Sequence, residues 1–311
     1  MDDNYGVMFD NLLNKGGLSL DRLQSFCEVA AACGVTKAAK GNAARQSLFS
    51  RQIKELEQFF GAELVRRKGR GIALTATGER LHRLAREQLL ALSDFKKAAV
   101  GQSVELTLSA GESLIHWLLL PRLRSIREKL PSVTFRLLNL PTAEIATRLR
   151  DATVDLGLIR AGSMARPLKS SPLGTMTFSL FIPGEMLRET KGKSVSADVL
   201  AKLPLATLEG GGQFRQELQR LSERQKLKPN LQLELSSFPL VARAVATGGY
   251  AAILPSIAAA ELAGSGVVEC RPDFLRPLKR EIVLAWNPRL AGIRAVLDQA
   301  ILVFRASCRI D

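Results

Sequence analysis

The sequence has few of the residues that most often carry catalysis or bind metals. It contains two histidines, His82 and His116, too few for a histidine-based metal site or nucleophile triad. The four cysteines are far apart except for one pair inside a helical pattern, which predicts neither a disulfide framework nor a C-x-x-C metal knuckle. They are Cys27, Cys33, Cys270 and Cys308. We therefore expect no metal and no cofactor.

Long apolar runs are also missing. None approaches the roughly 18 residues that a membrane-spanning helix needs. Residues 1–19 contain Asp2, Asp3 and Asp10 and lack the basic, apolar and small-residue order of a signal peptide. We expect a cytoplasmic protein with no membrane partner.

Positive charge is abundant and unevenly distributed. The 44 lysines and arginines exceed the 30 acidic residues, giving a net charge of +14. Residues 36–70 alone hold nine basic and three acidic residues. A concentrated basic excess favours a polyanionic partner, and nucleic acid before a membrane surface.

Three helices are predicted near the start of the chain. Apolar spacing predicts the first from Leu20 to Cys33, followed by a short helix with Thr36 as its N-cap. A third helix is expected to open around Arg45 and to end at Gly61, with one buried stripe formed by Phe49, Ile53, Leu56 and Phe60. Its other face carries Gln46, Ser47, Ser50, Arg51 and Lys54.

The pattern of the following segment, 63–74, predicts two short strands around a basic turn at 67–70. Such a hairpin beside a helix-turn-helix is a wing. After Thr75 a long helix is predicted to about Ala99, with an apolar stripe too wide for a helix alone in solvent. We expect the stripe to pack against a second copy of the chain through Leu81, Leu84, Leu92 and Phe95.

From Val104 onward, strand and helix patterns alternate. Predicted strands include 104–108, 133–138, 155–159, 177–182, 231–235 and 250–254. Predicted helices include 113–129, 143–150, 214–226, 239–247 and 293–306. Alternation of this kind predicts an α/β fold with a mostly parallel sheet and helices on both faces. About two hundred residues of it indicate two lobes.

These features together resemble the LysR-type transcriptional regulators. The resemblance lies in Thr36-Lys-Ala-Ala, Gln46-Ser-Leu-Phe-Ser-Arg-Gln-Ile53, Gly61-Ala-Glu-Leu-Val-Arg-Arg67 and Leu74-Thr-x-x-Gly78, with weaker fragments including Asp155-Leu-Gly-Leu-Ile159. It implies a winged helix-turn-helix, a dimerising linker helix and a two-lobed effector domain like periplasmic binding proteins, usually in a tetramer. We assign the winged helix-turn-helix to 20–78, the linker helix to 79–100 and the effector domain to 101–311, after an N-terminal extension at 1–19. Within the effector domain, lobe I comprises 101–161 and 267–311, and lobe II comprises 162–266.

The third helix is the expected recognition helix, because a helix fits the DNA major groove. We assign Gln46, Ser47 and Arg51 to base edges, and Arg45, Ser50 and Lys54 to bases or backbone. Wing residues Arg67 and Arg70 should reach the minor groove or phosphates. Where the family commonly has Ser-Gln-Pro, this chain has Arg45-Gln46-Ser47. Arg45 cannot cap the helix, which costs about 1 kcal/mol unless another oxygen substitutes.

A ligand site is expected where the first strand of the α/β region meets its helix. Hydroxyls and free backbone N–H groups there favour a small anion such as a carboxylate. By resemblance the effector cleft lies at this place, and the predicted contacts are Ser109, Gly111, Ser113, Thr142 and Arg160. Two alternatives stay open: the hydroxyls only cap helices, or Asp155 holds Arg160. Gly210–Gly212 is a weaker candidate for the cleft, because a run of glycines is more typical of a plain turn.

The main reading is a DNA-binding regulator controlled by a small-molecule effector, with RNA polymerase as a further candidate partner. The alternative is an enzyme acting on a ligand between the lobes, and the sequence has no G-x-S-x-G, P-loop or H-E-x-x-H motif to support it. His82 is expected in solvent or an interface and His116 in the core. Cys270 and Cys308 are expected as two buried thiols rather than a redox pair.

Overall fold

A computed structural model describes residues 16–69, 71–164, 166–189 and 196–310. It divides into two compact units. The first runs to Gln102 and includes Gly292–Arg294, and the second comprises Ser103–Ala291 and the chain from Ala295 on.

Within the described residues, the first unit contains four helices and a two-stranded hairpin. They are α1 (Leu20–Ala32), α2 (Val35–Ala38), α3 (Ala43–Phe60), β1 (Val65–Lys68), β2 (Gly71–Leu74) and α4 (Ala76–Ala99). Side-chain oxygens cap three of the helices: Ser19 accepts from Arg22 N–H, Asn42 from Arg45 N–H and Thr75 from Gly78 N–H. The predicted N-cap at Thr36 is wrong. Gly34 holds that position without a side-chain cap, so Thr36 lies inside the helix.

One apolar core joins these elements. Its buried members are Phe26, Val29, Ala39, Phe49, Ile53, Leu56, Leu64 and Leu81. The close approach of α4 to the β1 entry requires a glycine, because a Cβ at Gly78 would lie 2.0 Å from the Leu64 carbonyl oxygen. The Glu57 carboxylate accepts the N–H groups of Leu64 and Val65 at 2.8 and 3.2 Å. These contacts fix the hairpin to the end of α3.

The second unit is built on a nine-stranded sheet. The strands are β3 (Val104–Ala110), β4 (Val133–Asn139), β5 (Leu156–Arg160), β6 (Lys169–Pro183), β7 (Leu205–Leu208), β8 (Leu231–Leu235), β9 (Ala251–Pro255), β10 (Val267–Cys270) and β11 (Lys279–Trp286). Their order in the sheet is β4-β3-β5-β11-β6-β9-β7-β8, with β10 paired to β6.

The expectation of a mostly parallel sheet is wrong. Four strand pairs are parallel, β3–β4, β3–β5, β7–β8 and β7–β9. Four are antiparallel, β5–β11, β6–β11, β6–β9 and β6–β10. The physical reason is the long strand β6. It pairs with β11 over residues 169–177 and with β9 over residues 178–181, so one strand links two parallel βα regions.

Most of the helices described in this unit are short. They are α5 (Glu112–Leu114), α6 (Leu123–Lys129), α7 (Thr142–Arg150), α8 (Gly184–Glu189), α9 (Ala197–Lys202), α10 (Gln213–Gln225), α11 (Phe238–Ala246), α12 (Ala259–Leu262), α13 (Pro288–Ile293) and α14 (Ala295–Ser307). The single helix expected over 113–129 is instead broken by a π-helical turn, Ile115–Leu119, and a 3₁₀ turn, Leu120–Arg122. Pro121 explains the break, since it has no N–H to donate to the preceding turn.

None of the described helices combines the length and apolarity needed to cross a bilayer.

Candidate DNA interface and effector cleft

The predicted recognition face lies on α3. Arg45, Ser47, Ser50, Arg51 and Lys54 are exposed, and Gln46 is half-buried. The opposite face buries Phe49, Ile53 and Leu56 in the core of the first unit. The helix is therefore held from behind while its polar face is free to enter a groove.

The missing serine cap at the start of α3 is compensated. Asn42 stands at the N-cap position, and its Oδ1 accepts the Arg45 N–H at 3.1 Å. An asparagine caps as well as a serine does. The departure at Arg45 therefore leaves the helix start intact, and the arginine side chain is freed for another role.

Arg45 is oriented by two neighbours that sequence reasoning missed. Its guanidinium lies 3.1 Å from Glu28 Oε2 on α1 and 5.2 Å from the centre of the Phe49 ring. An ion pair at this exposure contributes little to stability. Its effect is to position the guanidinium beside the first turn of α3.

Arg51 is less constrained. Its Nε lies 3.8 Å from Glu55, and the same carboxylate binds Arg22 at 2.5 Å. The nearer cation holds Glu55, so the exposed Arg51 guanidinium remains available to a nucleic acid.

The hairpin β1–β2 has the geometry of a wing. Val65 pairs with Leu74 and Lys68 with Gly71, while Arg66, Arg67 and Lys68 are exposed. The backbone of β2 is tied to the end of α1 by Ile72 N–H donating to Cys33 O at 3.1 Å. The predicted contact Arg70 lies outside the described residues.

The apolar stripe of α4 divides into two parts. Leu81 is 9% exposed and packs in the core of its own unit, so its assignment to a dimer seam is corrected. Leu84, Leu92 and Phe95 are 55%, 48% and 75% exposed. Three large apolar side chains on one helix are thus left in solvent in the single chain.

The second unit contains a cleft of about 230 Å³. Four of the five predicted effector residues line it: Gly111, Ser113, Thr142 and Arg160. Ser109 does not. It is fully buried, and its hydroxyl donates to Leu138 O at 2.8 Å, because β3 continues to Ala110 and makes residue 109 an interior strand position.

Arg160 brings a positive charge to the cleft. Burial lowers its pKa below the ordinary value, the nearby Arg280 lowers it further, and Glu217 acts in the opposite direction. The Asp155 carboxylate accepts the Thr107 N–H at 2.7 Å, in the neighbouring strand. The described lining of the cleft carries three guanidiniums, those of Arg160, Arg215 and Arg280, and one carboxylate. This excess of cations favours an added anion.

Several cleft residues had no signal in the sequence pattern. Arg280, on β11, is 14% exposed, binds Glu217 at 2.8 Å and lies 5.1 Å from the Phe178 ring centre. Phe214 and Phe238 line the cleft and pack against each other at 4.9 Å. Gly212, one of the weaker cleft candidates from the sequence, also lines the cleft, at the start of α10. The cleft thus combines cations with an aromatic wall.

The histidine and cysteine expectations have mixed outcomes. His116 is not a core residue: it is partly exposed and lies 2.6 Å from Glu261 Oε2, which also accepts the Trp117 indole N–H at 2.7 Å. Cys270 and Cys308 are free thiols, but only Cys308 is buried, and Cys270 is half-buried. Burial raises the pKa of Cys308 to about 11 and also raises that of Cys270. Across the described residues, no group of three or more His, Cys, Asp or Glu side chains could hold a metal.

Two family models match the chain. Residues 20–79 match "Bacterial regulatory helix-turn-helix protein, lysR family", and residues 99–302 match "LysR substrate binding domain". The chain belongs to the LysR family. It is therefore a DNA-binding transcriptional regulator with an effector-binding domain, and family membership sets aside the enzyme alternative.

Individual relatives of this LysR regulator are distant. A probable nitrogen assimilation transcriptional activator of Synechococcus elongatus is 26% identical over 284 residues, covering 86% of this chain and 88% of that protein. Among solved structures, full-length OxyR of Pseudomonas aeruginosa has a TM-score of 0.66 at 19% identity, covering 94% and 98% of the two chains. ArgP of Mycobacterium tuberculosis has a TM-score of 0.65 at 18% identity, covering 91% and 97%. These likenesses confirm the fold.

Proposed function

We propose that this regulator reads its operator with α3 and the β1–β2 wing. The observation that carries the proposal is the exposed polar and basic face of α3, opposite its buried stripe. Gln46, Ser47 and Arg51 contact base edges, and the remaining α3 contacts, Arg45, Ser50 and Lys54, bind bases or backbone. Arg67 and Arg70 bind phosphates or the minor groove.

We propose the same division of the chain as the sequence suggests. Residues 20–78 bind DNA, 79–100 form the dimerising linker, and 101–311 bind the effector, after an extension at 1–19. Within the effector domain, 101–161 with 267–311 form lobe I and 162–266 form lobe II. A solved relative, CbnR, was crystallised with its target DNA, at a TM-score of 0.55 and 22% identity.

The effector we infer is a small anion, most simply a carboxylate, bound in the 230 Å³ cleft by Gly111, Ser113, Thr142 and Arg160. LysG of Corynebacterium glutamicum, with a TM-score of 0.60 and 19% identity, was solved with bound effector Arg. That structure supports a small-molecule effector as the mode of control. We further infer a cytoplasmic location, and RNA polymerase remains a proposed partner.

The DNA assignment is tested with Arg51→Ala and Arg67→Ala. Each removes one cation from an exposed face, so binding should weaken while the fold is kept. If Arg51 reads a base, its loss should relax discrimination at one operator position by about 1–3 kcal/mol. The measurement is DNase footprinting and binding titration on the upstream region of the protein's own gene.

Arg305→Ala is the matched control, because it removes one exposed arginine from α14 in the other unit. It should bind as the wild type does. Wild-type affinity for operator and random DNA in both Arg51→Ala and Arg67→Ala would overturn the interface.

A further inference from the structure

A second polar cavity lies in the effector-binding unit, apart from the cleft described above. It has a volume of about 280 Å³, and its lining shares no residue with the described lining of the cleft. Three arginines line it, Arg122, Arg271 and Arg309, and none of the described lining residues is acidic. We propose that this cavity, the three-arginine pocket, binds a phosphate group.

The local charge favours a dianion. Arg271 is paired with Glu269, 2.9 Å away, and that hydrogen bond raises the pKa of the arginine. Arg122 donates to the Leu118 carbonyl at 3.1 Å, which orients its guanidinium without neutralising it. Among the described residues, Arg122 and Arg309 form no ion pair, and the other nearby carboxylate, Glu261, is held by Trp117 and His116. Phosphate carries about −1.5 to −2 at neutral pH and offers several acceptor oxygens, whereas one carboxylate supplies a single charge.

Two of the three hydroxyl groups that line the pocket, those of Thr177 and Ser256, are already committed. The Ser179 hydroxyl donates its proton to Glu269 at 2.6 Å. The Ser256 hydroxyl therefore donates to the Ser179 oxygen at 2.8 Å, and the Thr177 hydroxyl donates to the Ser256 oxygen at 2.9 Å. This chain leaves neither Thr177 nor Ser256 a proton for a ligand. Recognition then depends chiefly on the guanidiniums, which form charge-assisted bonds to phosphate oxygens, with Thr175 as the remaining lining hydroxyl.

The position of Arg309 is fixed by the backbone that follows it. Ile310 N–H donates to Leu173 O at 2.8 Å, and Ile310 pairs with Gly174 of β6. Gly174 has φ +137°, and a Cβ there would lie 2.0 Å from Ile310 O. Arg309 is thus held beside β6, where Thr177 lines the same pocket.

The test is a titration with inorganic phosphate at constant ionic strength, with chloride as the balancing salt. Phosphate also stabilises proteins in general, because it is excluded from their surface, and this effect raises the melting temperature linearly with concentration. Binding at the pocket adds a second rise in melting temperature that saturates. Trp117 lines the pocket. In a Trp286→Phe background, Trp117 is the remaining tryptophan, and its fluorescence should change over the same concentration range.

Arg122→Gln with Arg309→Gln should lose the saturating rise and the fluorescence change while keeping the linear rise. Arg305→Gln, an exposed arginine on α14, and Arg160→Gln in the cleft should keep both signals. Glycerol phosphate serves as a second probe: tighter binding than inorganic phosphate identifies a phosphorylated metabolite as the source, and weaker binding identifies the free ion.

Two results would overturn the pocket. One is a wild-type response that is only linear. The other is a saturating response that the Arg122→Gln, Arg309→Gln pair keeps; its loss in Arg160→Gln would then place phosphate in the cleft. Neither result bears on DNA binding by α3, so failure of this proposal is separable from failure of the proposed function.

Discussion

At the scale of single residues, the chemistry of the cleft depends most on Arg160. The residue ends β5 and lines the cleft with Ser113. Burial and Arg280 both lower the pKa of Arg160, because both disfavour its charged form. An anion bound beside Arg160 would offset these two effects and stabilise the charged form. An anion that neutralises this repulsion should bind in preference to a neutral molecule of similar shape.

This gives a test for the effector class. A carboxylate that binds in the cleft should raise the melting temperature of the wild type with increasing concentration. Ser113→Ala combined with Arg160→Ala should abolish that shift without unfolding the protein, and Arg305→Ala should keep it. A double variant that responds normally would place the effector elsewhere.

The residue scale also shows where sequence reasoning stops. Ser109 and Ser113 look equivalent around the predicted strand end at 108. The strand in fact continues through Ala110, so Ser109 points to the Leu138 carbonyl and Ser113 to the cleft. A two-residue error in one boundary was enough to misplace one side chain. Arg280 was missed because its strand joins the sheet through antiparallel pairing with residues more than a hundred positions away.

At the scale of elements, the patterns with a strong period were predictable. α1, α3 and α4 begin and end within about three residues of the predicted bounds, since each has an apolar stripe and a capping signal. The bounds of the helix expected over 113–129 were not predictable, because Pro121 and a π-helical turn interrupt a continuous apolar pattern. The spacing of apolar residues shows which face of a helix is buried, but it does not show whether the backbone hydrogen bonds follow the α, π or 3₁₀ pattern.

The exposed stripe of α4 is the element that predicts assembly. Because Leu84 and Phe95 are exposed in the single chain, changing either to Arg should leave the monomer folded. In a dimer seam the same charge would be buried without a partner, so the dimer should dissociate or the protein aggregate. Sedimentation or light scattering measures the mass.

Leu302→Arg is the control for that experiment, because Leu302 is 60% exposed on α14. It should keep the wild-type mass. An unchanged mass in Leu84→Arg and Phe95→Arg would show that the stripe does not hold two copies together.

At the scale of the whole molecule, the net charge of +14 has two components. The excess in residues 36–70 lies on α3 and the wing, where the exposed cations of both elements belong to one compact unit. The rest is spread over the chain and includes the three-arginine pocket. The local excess in residues 36–70 indicated a polyanionic partner, and only the fold separates the exposed cations of α3 and the wing from those that line the three-arginine pocket.

This separation predicts a steep salt dependence for DNA binding. Each phosphate neutralised releases counterions, so log K should fall with log salt with a slope of about −0.9 per phosphate. Two helix-turn-helix units in a dimer should therefore give a slope of several units, measured by titration of operator DNA at increasing chloride. If Arg67 binds a phosphate, Arg67→Ala should make the slope shallower by about one for each phosphate that is no longer neutralised, whereas Arg305→Ala should leave it unchanged. A flat salt profile in the wild type would contradict electrostatic docking through α3 and the wing.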